Sequence, residues 1–188
     1  MHARRLQHSP DSDLVARARR GDRDAQAEII RRFQKPVFSL CLQLVGSREA
    51  EDLAQDALTQ VLTRLDTFTG RSELGTWIYR VTTNICLTHL RRRSRSPFAA
   101  GFEVPAGGIE EPDAGSSVQT EDPLAVRRAL ESLPDEHRVI LVLRDVRGLE
   151  YDQLAEVLDI PVGTVRSRLF RARRALRQAF EQEKPPRS

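Results

Sequence analysis

The sequence predicts an all-α protein made of two small helical domains joined by a flexible acidic linker. Three observations lead there. Apolar residues recur at three- and four-residue spacings on both sides of residues 96–122, with no strand-like alternation. The stretch between is rich in Pro, Gly, Ser and Ala. From Ser94 to Asp122 it holds one base and six acids. Such a segment cannot bury enough apolar area to offset its chain entropy, and a structureless loop of that length is unusual inside one domain. The expected units are therefore residues 11–95, a linker at 96–122, and residues 123–180.

Punctuation divides the first unit into helices. Asp11, Ser12 and Asp13 offer caps for a helix from Leu14 to Arg19, which Gly21 closes. A second helix runs from Asp24 to Phe33. Pro36 starts a third, which Gly46 ends. Ser47 caps a long fourth helix with Glu49 in its first turn. That helix has one continuous apolar stripe, Ala50, Leu53, Ala54, Ala57, Leu58, Val61, Leu62 and Leu65, opposite Asp52, Gln55, Asp56, Thr59, Gln60 and Thr63. A loop from Asp66 to Ser72 follows, with Ser72 capping a fifth helix that contains Leu74, Trp77, Ile78, Val81 and Ile85. It ends in Arg91, Arg92 and Arg93.

The second unit opens with Asp122 as N-cap and Pro123 at the first helical position, ahead of a helix from Leu124 to Leu133. Pro134 introduces a helix from Asp135 to Val146, ended by Gly148. Tyr151, Leu154, Ala155 and Leu158 then mark one buried helical face. Asp159 can take left-handed turn geometry, and Pro161 sits near the start of the next helix. In that helix Val165, Leu169, Ala172 and Leu176 pack inward. Arg166, Ser167, Phe170, Arg171, Arg173 and Arg174 are left facing out.

Composition narrows the possibilities. The chain has 188 residues, 30 Lys plus Arg, 27 Asp plus Glu, a net charge of +3 and a pI near 9.3. The basic excess is mild, so its local distribution carries the information. Cys41 and Cys86 lie in apolar helical patterns and read as buried hydrophobes, which fits a reducing cytoplasm. His2, His8, His89 and His137 lack metal-ligand spacing, so no metal or other cofactor is expected. No apolar leader core follows Met1, and no stretch approaches a membrane span. A cytoplasmic protein with no membrane insertion is expected.

Two constellations point to nucleic acid. Residues 151–170 and the helix around them describe a helix-turn-helix, with six arginines and no acid between Val162 and Arg177. Solvated faces usually mix charge signs; an all-arginine face matches phosphates and guanine edges. The second constellation is the fifth helix of the first unit. Thr76, Tyr79, Arg80, Thr83, Asn84 and the terminal arginines make a polar, basic side, and Phe68 lies in the loop just before it. Aromatics beside arginines and amides suit single-stranded nucleic acid, because any base can stack on a ring. Trp77 falls on the apolar stripe and reads as core.

Together, these segments resemble the extracytoplasmic-function (ECF, RpoE-like) sigma factors of bacterial RNA polymerase. Glu51–Ala57, Phe68–Ser72 and Thr76–Asn84 look like sigma region 2; Leu133-Pro134 with Tyr151–Leu176 look like region 4. The resemblance implies a sigma factor, not an enzyme, that binds core RNA polymerase and directs promoter-specific transcription initiation. It implies that residues 52–65 dock on polymerase through Asp52, Gln55, Asp56 and Gln60. Phe68, Gly70, Arg71, Ser72 and Asn84 would read and help open the single-stranded minus-10 element, with Arg80 and Arg91 on phosphates. Arg166, Ser167, Phe170 and Arg171 would read the duplex minus-35 element, with Arg173 and Arg174 on phosphates. An anti-sigma factor is implied as a further partner. Two features depart from the family pattern. Glu150 replaces a Ser or Thr cap before Tyr151, which would weaken that helix start, and Asp159 replaces the common turn glycine. The alternative is an autonomous helix-turn-helix transcriptional regulator, which would need a dimerisation helix or ligand pocket. A DNA-acting enzyme would need a nucleophile or carboxylate cluster, and the acids at Glu49, Glu51, Asp52 and Asp56 are spread around their helix.

Overall fold

The computed structural model describes residues 10–94 and 123–183. The linker and the capping role of Asp122 lie outside the described residues. Among those described there is no strand.

Helix α1 spans Pro10–Arg19. It therefore starts before the expected caps. Pro10 takes the first position, and Asp11 and Asp13 fall in the first turn, where their charge meets the positive end of the helix. Asp11 is buried and ion-paired to Arg32. Asp22 caps α2 (Arg23–Val45), its Oδ1 accepting from the Asp24 and Ala25 backbone N–H groups at 3.0 and 3.1 Å. These bonds, the Ala25 one foremost, and Arg17 hold the Asp22 carboxyl below its ordinary range.

The two helices expected around Pro36 are one. A proline inside a helix removes a hydrogen bond and costs about 3 kcal/mol. Here the buried face of Ile29 and Phe33 continues in register through Val37, Leu40, Cys41 and Leu44. Each large apolar side chain buried contributes about 1.5–3 kcal/mol, so three beyond the proline outweigh the lost bond. Cys41 of this face meets Cys86 from further along the chain; both are buried and reduced, with sulfurs 3.7 Å apart. The Cys86 thiol is pushed up by its bond to Cys41 and by burial.

Helix α3 spans Ala50–Thr63 and buries Ala50, Leu53, Ala54, Ala57 and Val61 as its stripe predicted. Its N-cap is Glu49 rather than Ser47, because a turn separates Ser47 from the helix. One 3₁₀ turn, Leu65–Thr67, leads to the loop before α4 (Leu74–Ser94). The Glu73 carbonyl accepts the Trp77 N–H at 3.2 Å, so α4 starts just beyond the expected Ser72 cap.

The second unit contains α5 (Pro123–Ser132), α6 (Asp135–Leu141) running into a π turn (Val142–Val146), α7 (Tyr151–Leu158) and α8 (Val162–Glu183). The expected helix to Val146 is present, but its last part is widened. Gly148 closes it at φ 71°, and Arg144 bonds the Leu149 carbonyl at 2.7 Å. Glu150 does not weaken the start of α7. Gln153 Oε1 accepts the Glu150 backbone N–H at 2.9 Å, the return bond of a capping box, and Arg144 pairs with the Glu150 carboxylate at 3.1 Å. Asp159 is left-handed at φ 54° and ψ 49°, the geometry expected at this turn.

The two units also touch. Helices α6 and α7 pack on α4, and α6 with its π turn packs on α2, so one apolar core is continuous through both. Gln153 of α7 meets Thr76 at this contact, and both Thr76 and Thr83, which the helical pattern of α4 placed on its polar side, are buried.

Candidate nucleic-acid interface

An open groove of about 1120 Å³ lies between α3, the 65–73 loop and α4. Five of the seven residues expected to meet the minus-10 element line it: Phe68, Arg71, Ser72, Arg80 and Asn84. Gly70, with φ 69°, shapes the loop between them, and that conformation favours glycine. Arg91 stands apart. It lines a smaller cleft with Leu87, Glu136 and Leu158.

The loop is fixed from behind. Arg19 reaches from α1 to the Leu65 carbonyl at 3.0 Å and also bonds the Phe68 carbonyl. Phe68 is buried, its ring 5.6 Å from that of Trp77 at a tilt of 51°. It forms part of the floor of the groove rather than a free stacking ring. Trp77 packs against the core, as its place on the stripe predicted. Arg71 and Asn84 are exposed, so their polar groups face the space where a strand would run.

Of the residues expected to dock on polymerase, Asp56 and Gln60 line the same groove, while Asp52 and Gln55 are exposed further along α3. Arg92, one of the terminal arginines, also lines it, as do Arg64, Thr88 and His89, which the sequence reading missed. A signal for Thr88 was available: Arg80, Asn84, Thr88 and Arg92 repeat every four residues, which puts them in one row on a helix.

The second site is the outer face of α8. Val165, Leu169 and Ala172 are buried; Arg166, Phe170, Arg173 and Arg174 are exposed, and Ser167 and Arg171 are half-buried. The Ser167 hydroxyl donates to the Thr164 carbonyl at 3.1 Å, and Arg171 Nε donates to the Ser167 carbonyl at 3.3 Å. Arg173 is tied to Asp145 at 2.8 Å, and that bond raises its guanidinium pKa. Arg168 turns inward to Glu136 at 3.8 Å. The helix thus keeps a rigid basic face over a packed core.

Among the described residues no group of His, Cys, Asp or Glu is arranged to hold a metal ion, and no helix is long and apolar enough to cross a membrane.

Comparison with known proteins agrees with this division. Residues 29–96 match the family model for sigma-70 region 2, and residues 124–176 match that for sigma-70 region 4. The chain is 36% identical over 175 residues to the ECF RNA polymerase sigma-E factor of Escherichia coli, covering 88% of this chain and 92% of that protein. It belongs to the ECF sigma factors. The RNA polymerase sigma-H factor of Pseudomonas aeruginosa is 35% identical to this sigma factor over 187 residues, covering 94% of this chain and 96% of that one.

Two solved structures share its fold. CnrH in complex with the cytosolic domain of CnrY superposes with a TM-score of 0.68 at 20% identity, covering 94% of this sigma factor and 100% of that chain. RpoE of Bartonella quintana, bound to the anti-sigma factor NepR, gives 0.62 at 23% identity over 84% and 98% of the two chains.

Proposed function

We propose that this sigma factor binds core RNA polymerase through α3, opens the minus-10 element in the groove beside α4, and reads the minus-35 element with α8. The observation that carries this is the groove itself. It gathers the acidic and amide residues of α3, Asp56 and Gln60, with Arg71, Ser72, Arg80 and Asn84 around one space. A polymerase-docking helix and a strand-binding surface are thereby built into one rigid unit. Separating bases from a duplex costs a few kcal/mol, and preferential binding of the opened strand would offset it.

On α8, Arg166, Ser167, Phe170 and Arg171 lie toward the start of the helix, the end that a helix-turn-helix inserts into the major groove. Arg174 is exposed where a phosphate would reach it, and Arg173 reaches one on leaving Asp145. These roles are binding roles, and the protein acts without catalysis of its own, in the cytoplasm where polymerase works. An anti-sigma factor is the natural antagonist, as one is bound to the Bartonella quintana RpoE of the same fold.

The test is run-off transcription with purified core polymerase on a library of genomic fragments. Discrete new start sites that require this protein are expected, and their alignment gives both promoter elements. Absence of new starts, together with tight duplex binding by the protein alone, would overturn the proposal in favour of an autonomous regulator.

A further inference from the structure

The loop that lines the groove before α4 has little backbone structure of its own. Among the described residues, Thr69, Gly70, Arg71 and Ser72 make no hydrogen bond to another backbone group. Their position therefore depends on what holds the base of the loop. At that base is the 3₁₀ turn Leu65–Thr67, closed by the Phe68 N–H on the Leu65 carbonyl at 3.3 Å, a long bond.

Both ends of this turn are gripped by one side chain from α1. Arg19 Nε donates to the Leu65 carbonyl at 3.0 Å, and Arg19 Nη2 donates to the Phe68 carbonyl. A guanidinium holds its donors in a rigid planar fork, so one side chain fixes the orientation of two acceptors at once. Leu65 and Phe68 are buried, which makes the gripped segment the anchored end of the loop.

Arg19 stands on a firm footing. Val15 and Ala18 seat α1 in the core. Asp11 pairs with Arg32 of α2 at the start of the helix. At its end Gln26 Nε2 donates to the Ala18 carbonyl at 3.1 Å, and Arg17 pairs with Asp22 at 2.8 Å. Arg19 does not line the groove, whereas Phe68, Arg71 and Ser72 of the loop do. Its route to a bound strand runs through the loop.

We propose that Arg19 is a positioning residue for reading the minus-10 element, and that α1 is the brace of the reading loop. This rests on the assignment of the groove to the minus-10 strand. Groups that recognise a ligand discriminate well only while a supporting shell holds them in place. A loop released from its brace adapts to a wrong base as readily as to the right one. Loss of Arg19 therefore lowers discrimination at the minus-10 element.

The test uses the full-length chain with core polymerase and the strongest promoter recovered by run-off transcription on genomic fragments. That promoter competes in one reaction with a copy carrying a substituted minus-10 base pair. The ratio of the two transcripts does not depend on how much of the protein is folded, so a merely structural defect leaves it unchanged. R19A is expected to lower the ratio about fivefold, an ordinary coupling within one hydrogen-bond network. R19K supplies a point donor in place of the fork and is expected to fall between R19A and wild type. R20A removes the same charge from the neighbouring exposed position and should keep the wild-type ratio. Hydrogen–deuterium exchange of the free protein should speed up over residues 65–73 in R19A and not in R20A.

An unchanged ratio in R19A, an equal fall in R20A, or a fall in R19A without faster exchange in the loop would overturn the proposal. The wild-type ratio separates this from failure of the groove assignment. A wild-type ratio of one removes that assignment and the brace with it. A wild-type preference that R19A leaves intact removes the brace alone.

Discussion

Helices α4 and α8 each carry an arginine-bearing face, yet the fold presents them differently. On α8 the outward face carries Arg166, Phe170, Arg173 and Arg174 in the open, with neighbours supplied by its own unit. On α4 the basic row borders a groove whose wall includes a residue of the other unit, Glu156, and part of its polar side is buried under α7. A duplex reader needs only a firm helix and exposed donors. A single-strand reader needs a concave surface, and a concave surface can be occupied from within the same chain. The difference lies in packing, because both helices show a comparable mixture of arginine and apolar residues in sequence.

The comparison can be broken most severely at the core of region 4. Leu154 is fully buried in α7, the helix that lies between α4 and α8. Leu154→Ala is expected to cost about 2–5 kcal/mol, a large share of the stability of so small a unit. Urea unfolding followed by circular dichroism should show region 4 melting ahead of region 2. A single transition for both would mean that the contact with α4 makes the two units one cooperative body.

Next in size is the acidic face of α3. Asp56 is exposed and borders the groove. Asp56→Arg reverses a charge at the proposed polymerase contact, where a like-charge meeting costs on the order of several kcal/mol. Pull-down with core polymerase should fall sharply while thermal stability stays near wild type. Undiminished polymerase binding would remove α3 from that role.

Smaller again is the loss of one reading contact. Arg171→Ala should cost about 1–3 kcal/mol at the cognate promoter and relax specificity at one position. Transcription from that promoter should drop with no change in polymerase binding. Equal loss of both would mean that Arg171 supports the fold rather than reads DNA.

How far the sequence could go follows from the range of each interaction. The stripes of α3 and α8 were legible, since helical periodicity is set by neighbours three and four residues away. The left-handed turn at Asp159 was legible from residue type, since Asp tolerates that geometry. Continuity of α2 through Pro36 was not. The local rule says stop, and only the buried face shared with α3 and α4 keeps the helix going. The capping role of Glu150 escaped because the return bond comes from Gln153, which the Ser/Thr rule does not consider. For the groove, residue types were readable one segment at a time. The contact of Arg147 with α2 was not, because Arg147 and Ser39 are 108 positions apart and no periodicity links them.

The smallest effect concerns pH, and it separates the two units again. His137 on α6 has its pKa lowered, chiefly by burial; Glu136 opposes this, and Arg171 and Arg168, each a smaller influence than Glu136, add to the lowering. Its Nδ1 is buried without a hydrogen-bond partner. The folded protein thus binds a proton at His137 less readily than the unfolded chain, whose histidine titrates near 6.5. Stability therefore rises with pH through this group: the neutral ring is tolerated above 6.5, and the contribution is lost as pH falls below it. Protonation would also place a third positive charge beside Arg168 and Arg171 of α8. Unfolding of region 4 followed between pH 7.5 and 5.5 should show declining stability, and His137→Gln should flatten that decline. A pH response that survives the substitution would move its origin to another group, and an effect confined to region 2 would contradict the assignment outright.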